Sequence, residues 1–156
     1  MSKMVKHRIT LKIIWWIYII VLFLLVVIKF HGSTSAIINR IESNSLPGAI
    51  NYNLIPFHSI SVQLAYISQG WARYNLLGNI VPFMPFGFLL PIVFDKMNTF
   101  WKVIGVGLAV DLCIEVFQYI TKTGSFDVDD IILNITGIAL GYLLIKFTRI
   151  IFVREQ

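Results

Sequence analysis

The sequence predicts an all-α integral membrane protein, a four-helix bundle forming one domain over residues 1–156. Three observations predict it. The chain is 57% hydrophobic and only 13% charged, roughly half the charged share of an ordinary soluble domain. Its mean hydropathy is +0.78. The apolar residues gather into four runs, about 12–29, 74–94, 101–120 and 131–153, each close to the length that crosses a hydrocarbon core.

The formal net charge of +5 does not point to nucleic acid. The basic residues flank the apolar runs and form no stripe with interleaved aromatics, so they read as membrane-flank charges. Cys113 is the only cysteine. It excludes an intramolecular disulfide and, mid-helix in an apolar run, reads as a small packing residue.

The first run, Ile13 to Ile28, lies between Lys12 and Lys29 and spans if both lysines snorkel to the interfaces. Its rival reading is a cleavable leader, with Lys3, Lys6 and Arg8 as the basic start and Ser33 to Ala36 as the small residues for cleavage. The second run holds Pro82, Pro85 and Pro91 and is expected to be an irregular, proline-broken span. Each proline lacks an N–H and so frees the carbonyl four residues earlier, at Gly78, Val81 and Gly87. Such carbonyls need partners from protein or from a watery cavity. The third and fourth runs follow after the short turn from Asp95 to Lys102.

Basic residues set the expected direction. Nine lie before the first span, between the second and third, and at the C-terminal end, against Lys29, Arg40, Arg73 and Lys122 on the other side. This asymmetry places both termini in the cytoplasm. The segment from Phe30 to Arg73 is then external, and its stripe Ile60, Leu64, Ile67 and Trp71 has the spacing of a short interfacial helix.

This topology makes a constellation of scattered polar residues. Asp111 lies about 14 Å into the third span and Glu115 about 20 Å, at about 1.5 Å per residue. Asp111, Glu115, Gln118 and Lys122 recur at helical spacing and share one face. So do Asp127, Asp130, Asn134, Gly137 and Gly141 on the fourth span, where the two glycines invite another helix close. Asn75 and Asn79 form an i, i+4 pair at the start of the second span. Single amides at depth are ordinary helix glue, but carboxylates at depth, with Lys122 near the surface, point to a ligand, a proton or a metal ion.

Three stretches then carry a resemblance. Asn75-Leu-Leu-Gly-Asn-Ile-Val-Pro-Phe-Met-Pro-Phe-Gly-Phe-Leu-Leu-Pro91, Glu115-Val-Phe-Gln118, and Phe126-Asp-Val-Asp-Asp-Ile-Ile-Leu-Asn-Ile-Thr-Gly-Ile-Ala-Leu-Gly-Tyr142 resemble the VanZ-like family of bacterial membrane proteins. Asn53-Leu-Ile-Pro-Phe57 adds a fourth motif. The resemblance implies a bacterial cell-membrane protein of Gram-positive type associated with teicoplanin resistance. It implies motif roles for Asn75, Asn79, Pro82, Pro85, Gly87, Glu115, Gln118, Asp127, Asp130, Asn134 and Gly137, and it supplies no reaction. Many relatives carry an arginine before the acidic motif. This chain has Lys122-Thr-Gly-Ser125, and lysine lacks the bidentate fork that holds an anion.

Three functions compete. In the first, an outward-facing polar pocket engages a membrane lipid, a lipid-linked cell-wall component or a glycopeptide antibiotic, with Asn75, Asn79, Asp111, Gln118, Asp127 and Asn134 as binding residues. In the second, Glu115 and Asp130 are the catalytic acid and base of an intramembrane enzyme, or assist a metal together with Asp127. No phosphate-binding loop and no nucleophile paired with a base accompany them, and no motif names a cofactor. In the third, Asp111 and Glu115 relay protons in a carrier. Four spans are few for alternating access, so a carrier implies a homo-oligomer.

Overall fold

The computed structural model describes residues 3–27 and 34–154. Its elements, in chain order, are α1 (Lys3–Val27), α2 (Thr34–Ser45), β1 (Tyr52–Asn53), α3 (His58–Ala65), α4 (Gly70–Val93), α5 (Phe100–Thr121), β2 (Phe126–Asp127) and α6 (Val128–Arg154). Four helical stretches are long and apolar enough to cross a membrane: Arg8–Val27, Gly70–Val93, Phe100–Thr121 and Val128–Thr148. They match the four apolar runs of the sequence. Lys29, the expected anchor at the end of the first span, and Ser33, the start of the leader's cleavage stretch, lie outside the described residues.

α1 is a packed member of the bundle. Trp15, Leu22 and Val26 are buried with Phe83, Phe86 and Ile138 in one apolar core, and the Trp15 and Phe86 rings lie 5.1 Å apart. On the other side of α1, Trp16, Ile17, Ile20 and Leu25 are exposed. An unpartnered apolar surface of this extent suits hydrocarbon rather than water.

The closest helix pair is α4 and α6, and the reason is glycine. A Cβ on Gly137 would sit 2.1 Å from the carbonyl oxygen of Ile80, and one on Gly141 only 1.9 Å from that of Met84. The relation is reciprocal, since a Cβ on Gly87 would lie 1.9 Å from the carbonyl oxygen of Ile138. The partner invited by the α6 glycines is therefore α4, which runs parallel to α6. Backbones this close interact by dispersion and Cα–H···O contacts that larger side chains would prevent.

α4 differs from the sequence expectation. It runs as one helix from Gly70 to Val93 with Pro82, Pro85 and Pro91 inside it, rather than dividing at the prolines. Neighbouring helices hold it on both sides: α6 packs against its backbone through glycine, and the Tyr18 hydroxyl of α1 donates to the Pro82 carbonyl at 2.8 Å. The Pro82 carbonyl is not one of the three that the prolines free, so this bond holds α4 against α1 without replacing a lost intrahelical bond.

The segment between α1 and α4 is more ordered than its composition announces. α2 docks on the α5–β2 loop, where Asn44 Nδ2 donates to the Lys122 carbonyl at 3.0 Å and Arg40 donates to that of Thr123 at 3.2 Å. The predicted short helix exists as α3 but ends at Ala65, so it includes Ile60 and Leu64 and leaves Ile67 in a turn and Trp71 in the first turn of α4. β1 pairs in parallel with β2, Tyr52 opposite Phe126 and Asn53 opposite Asp127. This two-residue ladder has no alternating apolar pattern to predict it.

At the opposite end of the bundle, Arg8 and Asp95 form an exposed ion pair at 3.1 Å, a contact that contributes little to stability. Tyr142 donates there to the Asn98 carbonyl at 3.1 Å. Cys113 is exposed rather than packed in the core. It lines an apolar lateral cavity of about 520 Å³ between α1 and α5.

Candidate functional site

The polar residues of α5 and α6 turn inward. Asp111, Glu115 and Gln118 are buried on α5, and Asp130 and Asn134 on α6, with Asn79 of α4 beside them. Helical spacing aligns them because α5 and α6 are antiparallel neighbours joined by a short loop, so their polar faces meet at corresponding depth.

Deepest in the bundle, Asn134 Nδ2 donates to Asp111 Oδ1 at 2.7 Å. Both side chains are fully buried. One turn nearer the end at which α6 begins, Asn79 Nδ2 donates to Asp130 Oδ1 at 2.5 Å. Asp130 lies within electrostatic reach of Asp111. Glu115 Oε2 accepts the backbone N–H of Asp127 at 3.1 Å, which ties α5 to the strand leading into α6. Gln118 Nε2 donates to the Val26 carbonyl at 2.9 Å and closes the last described turn of α1 against α5.

A second group of bonds reaches into the segment between α2 and α4. Asp127 Oδ1 accepts from Asn53 Nδ2 at 2.9 Å and its Oδ2 from the Ser59 hydroxyl at 2.6 Å. Asp127 sits in β2, before α6 begins, so it joins the cluster through the strand pairing rather than through the α6 face. Asp129 accepts the N–H groups of Phe57 at 2.5 Å and Ile60 at 3.0 Å. These are among the first N–H groups of α3, which a helix start leaves without intrahelical partners. Phe57 makes no side-chain cap and has φ of 64°, so a carboxylate from 72 residues away does the capping.

The expected residues thus fall into two classes. Asp111, Glu115, Gln118, Asp127, Asp130, Asn134 and Asn79 are brought together and buried. Asn75 is exposed one turn before Asn79. Lys122 leaves the polar stripe, because it is the left-handed C-cap of α5, with φ of 59°. Helical periodicity does not single out Asp129, Asn53 or Ser59. Their signal lay in the two short segments around them, Asn53 to Phe57 and Phe126 to Asp130, whose partnership only the β1–β2 pairing reveals. Among the described residues, no three His, Cys, Asp or Glu side chains are grouped to hold a metal ion.

Comparison with known proteins fits this arrangement. The VanZ/LLP1 family model matches residues 15–151. The protein named Protein VanZ, from Enterococcus faecium, is 30% identical over 98 residues, 61% of this chain and 60% of the relative. The matched stretch therefore spans about three fifths of that relative's length. No solved structure matches the chain. The family match takes in the whole acid–amide cluster and all but the start of the first membrane-length helix, and the chain belongs to the VanZ/LLP1 family.

Proposed function

We propose that this multi-pass membrane protein lies in a bacterial cell membrane with both termini cytoplasmic, and that its acid–amide cluster engages an envelope amphiphile and so lowers glycopeptide susceptibility. Family membership fits a role in teicoplanin resistance. The amphiphile is a lipid-linked cell-wall component or the glycopeptide itself. In this reading Asn75, exposed at the rim, meets the ligand first, and Glu115 and Asp130 supply the charge that the ligand's cationic or hydroxyl groups require.

One observation carries the reading. The acidic run that passes from β2 into α6 holds the segment between α2 and α4 with Asp127 and Asp129, and continues into the bundle with Asp130. A ligand that meets the external segment therefore acts on the membrane-embedded carboxylates through bonds already in place. The basic-residue asymmetry supports an outward direction for this end.

Glu115→Gln keeps an acceptor for the Asp127 N–H while removing the charge. In a strain whose teicoplanin resistance depends on this protein, we expect the variant to lose the resistance with membrane abundance near wild type. Labelled teicoplanin and a lipid-linked cell-wall precursor, each titrated onto the purified protein in nanodiscs, identify the ligand. Full resistance in the Glu115→Gln strain, with neither probe binding the wild-type protein, would reject the reading.

A further inference from the structure

We propose that the Asp111–Asn134 pair is a binding site for one monovalent cation, held at the α5–α6 interface as a proton or a sodium ion. The hydrogen bond from Asn134 Nδ2 to Asp111 Oδ1, 2.7 Å long, uses one polar atom of each side chain. The other two, Asp111 Oδ2 and Asn134 Oδ1, have no hydrogen-bond partner, and both side chains are fully buried. Buried polar atoms in proteins are nearly always paired, so two unpaired oxygens on one bonded pair require a third participant.

The chemistry of the two atoms narrows that participant. Each oxygen shares a planar group with an atom of the existing bond, so both belong to the same bonded pair of side chains. Both are acceptors, and Asn134 Oδ1 has no hydrogen to offer. An anion is excluded, and a hydrogen-bond donor or a cation fits. Oxygen donors suit hard cations. One carboxylate and one amide supply a single negative charge, and among the described residues no three His, Cys, Asp or Glu side chains are grouped so as to hold a metal ion. A single positive charge is what the pair is built for. A proton on Asp111 Oδ2 would give that atom a hydrogen to donate, and a sodium ion would take the two unpaired oxygens as ligands.

The surroundings keep the charge local. Asp111 faces Glu115 one turn on along its own helix and Asp130 on α6, the latter within electrostatic reach. α4 presents Asn79, whose amide is committed to Asp130. The described part of α1 presents Tyr18, whose hydroxyl is committed to the Pro82 carbonyl. The pair belongs to the same acid–amide cluster, but the proposal does not rest on the amphiphile reading, since Asp111 and Asn134 are fully buried and the test below uses neither of its probes.

The test uses the full-length protein in nanodiscs of phosphatidylethanolamine and phosphatidylglycerol, with no antibiotic or cell-wall lipid present. Its thermal midpoint is compared in sodium chloride and in equimolar choline chloride at fixed pH. Infrared spectra at neutral pH without sodium are examined for the carbonyl stretch of a protonated carboxyl group. Asp111→Asn has the same shape, carries no charge and can donate to Asn134 Oδ1, so it imitates the loaded site. If sodium is the cation, sodium chloride raises the wild-type midpoint by about 3 °C or more and leaves Asp111→Asn unmoved. If a proton is the cation, the band is present in wild type and absent in Asp111→Asn. Should that variant not fold, Asn134→Ala serves instead, weakening the sodium effect roughly tenfold or more or shifting the band. A wild-type midpoint indifferent to sodium, together with no protonated-carboxyl band that responds to either variant, would mean that water alone fills the contact and would overturn the proposal.

Discussion

Asp129 accepts the backbone N–H of Phe57 at 2.5 Å, a bond by which the first turn of α6 determines where α3 begins. The same carboxylate takes the Ile60 N–H at 3.0 Å. An amide in its place offers one acceptor and a donor that meets an N–H head on. Asp129→Asn is expected to cost about 2 kcal/mol and to speed hydrogen exchange at the Phe57 and Ile60 amides, with exchange in the middle of α5 unchanged. Equal acceleration in both places would show that Asp129 supports the whole bundle rather than α3.

The α4–α6 contact predicts a contrast between glycines. Gly137→Ala and Gly141→Ala put a methyl group into the carbonyls of Ile80 and Met84, and neither backbone can yield without moving its helix. Each is expected to lower stability by about 2 kcal/mol or more and to reduce membrane abundance. Gly78→Ala and Gly105→Ala, where nothing lies within 4 Å of the new Cβ, are expected to be neutral or to stabilise by about 0.5–1 kcal/mol. Thermal midpoints of the four purified variants in one detergent decide it.

Glu115 and Asp130 are expected to act as a unit. Glu115 holds the Asp127 N–H at 3.1 Å, three residues before Asp130, and Asp130 holds Asn79. Neutralising one changes the field at the other in a water-poor interior. A double-mutant cycle with Glu115→Gln and Asp130→Asn, read by thermal stability, should give a coupling of about 1 kcal/mol. Strict additivity would separate them into two unrelated contacts.

The direction of the bundle is open to labelling, since Cys113 is the chain's only cysteine. In a Cys113→Ser background, Ser45→Cys at the end of α2 is expected to react with a membrane-impermeant maleimide on intact cells. Asn98→Cys, in the α4–α5 turn, should react only after lysis. The reverse pattern would turn the acid cluster toward the cytoplasm and remove the basis for an outward ligand.

Much of this protein was legible in the chain. Four apolar runs became four membrane-length helices, because hydrocarbon leaves few backbone solutions other than an unbroken ladder of internal hydrogen bonds. Helical spacing put Asp111, Glu115 and Gln118 on one face of α5, and Asp130 and Asn134 on one face of α6, since period alone decides which residues share a face. Proline at three positions read as a broken α4, yet the helix continues. Local propensity weighs a lost N–H but does not see the Tyr18 hydroxyl or the glycine-lined flank of α6.

By itself, then, the sequence determined the membrane class, the number of membrane-length helices and the inward-facing polar stripes, all of which follow from composition and short-range period. Only the tertiary structure decided which residues those stripes meet. Asn134 facing Asp111, Asn79 facing Asp130, Asp129 capping α3 and Ile80 against Gly137 join positions between 23 and 72 residues apart where a hydrogen bond makes the link. Such partnerships depend on how helices pack around a shared core, where a close backbone approach at a few glycines sets the distance at which every other pair must fit.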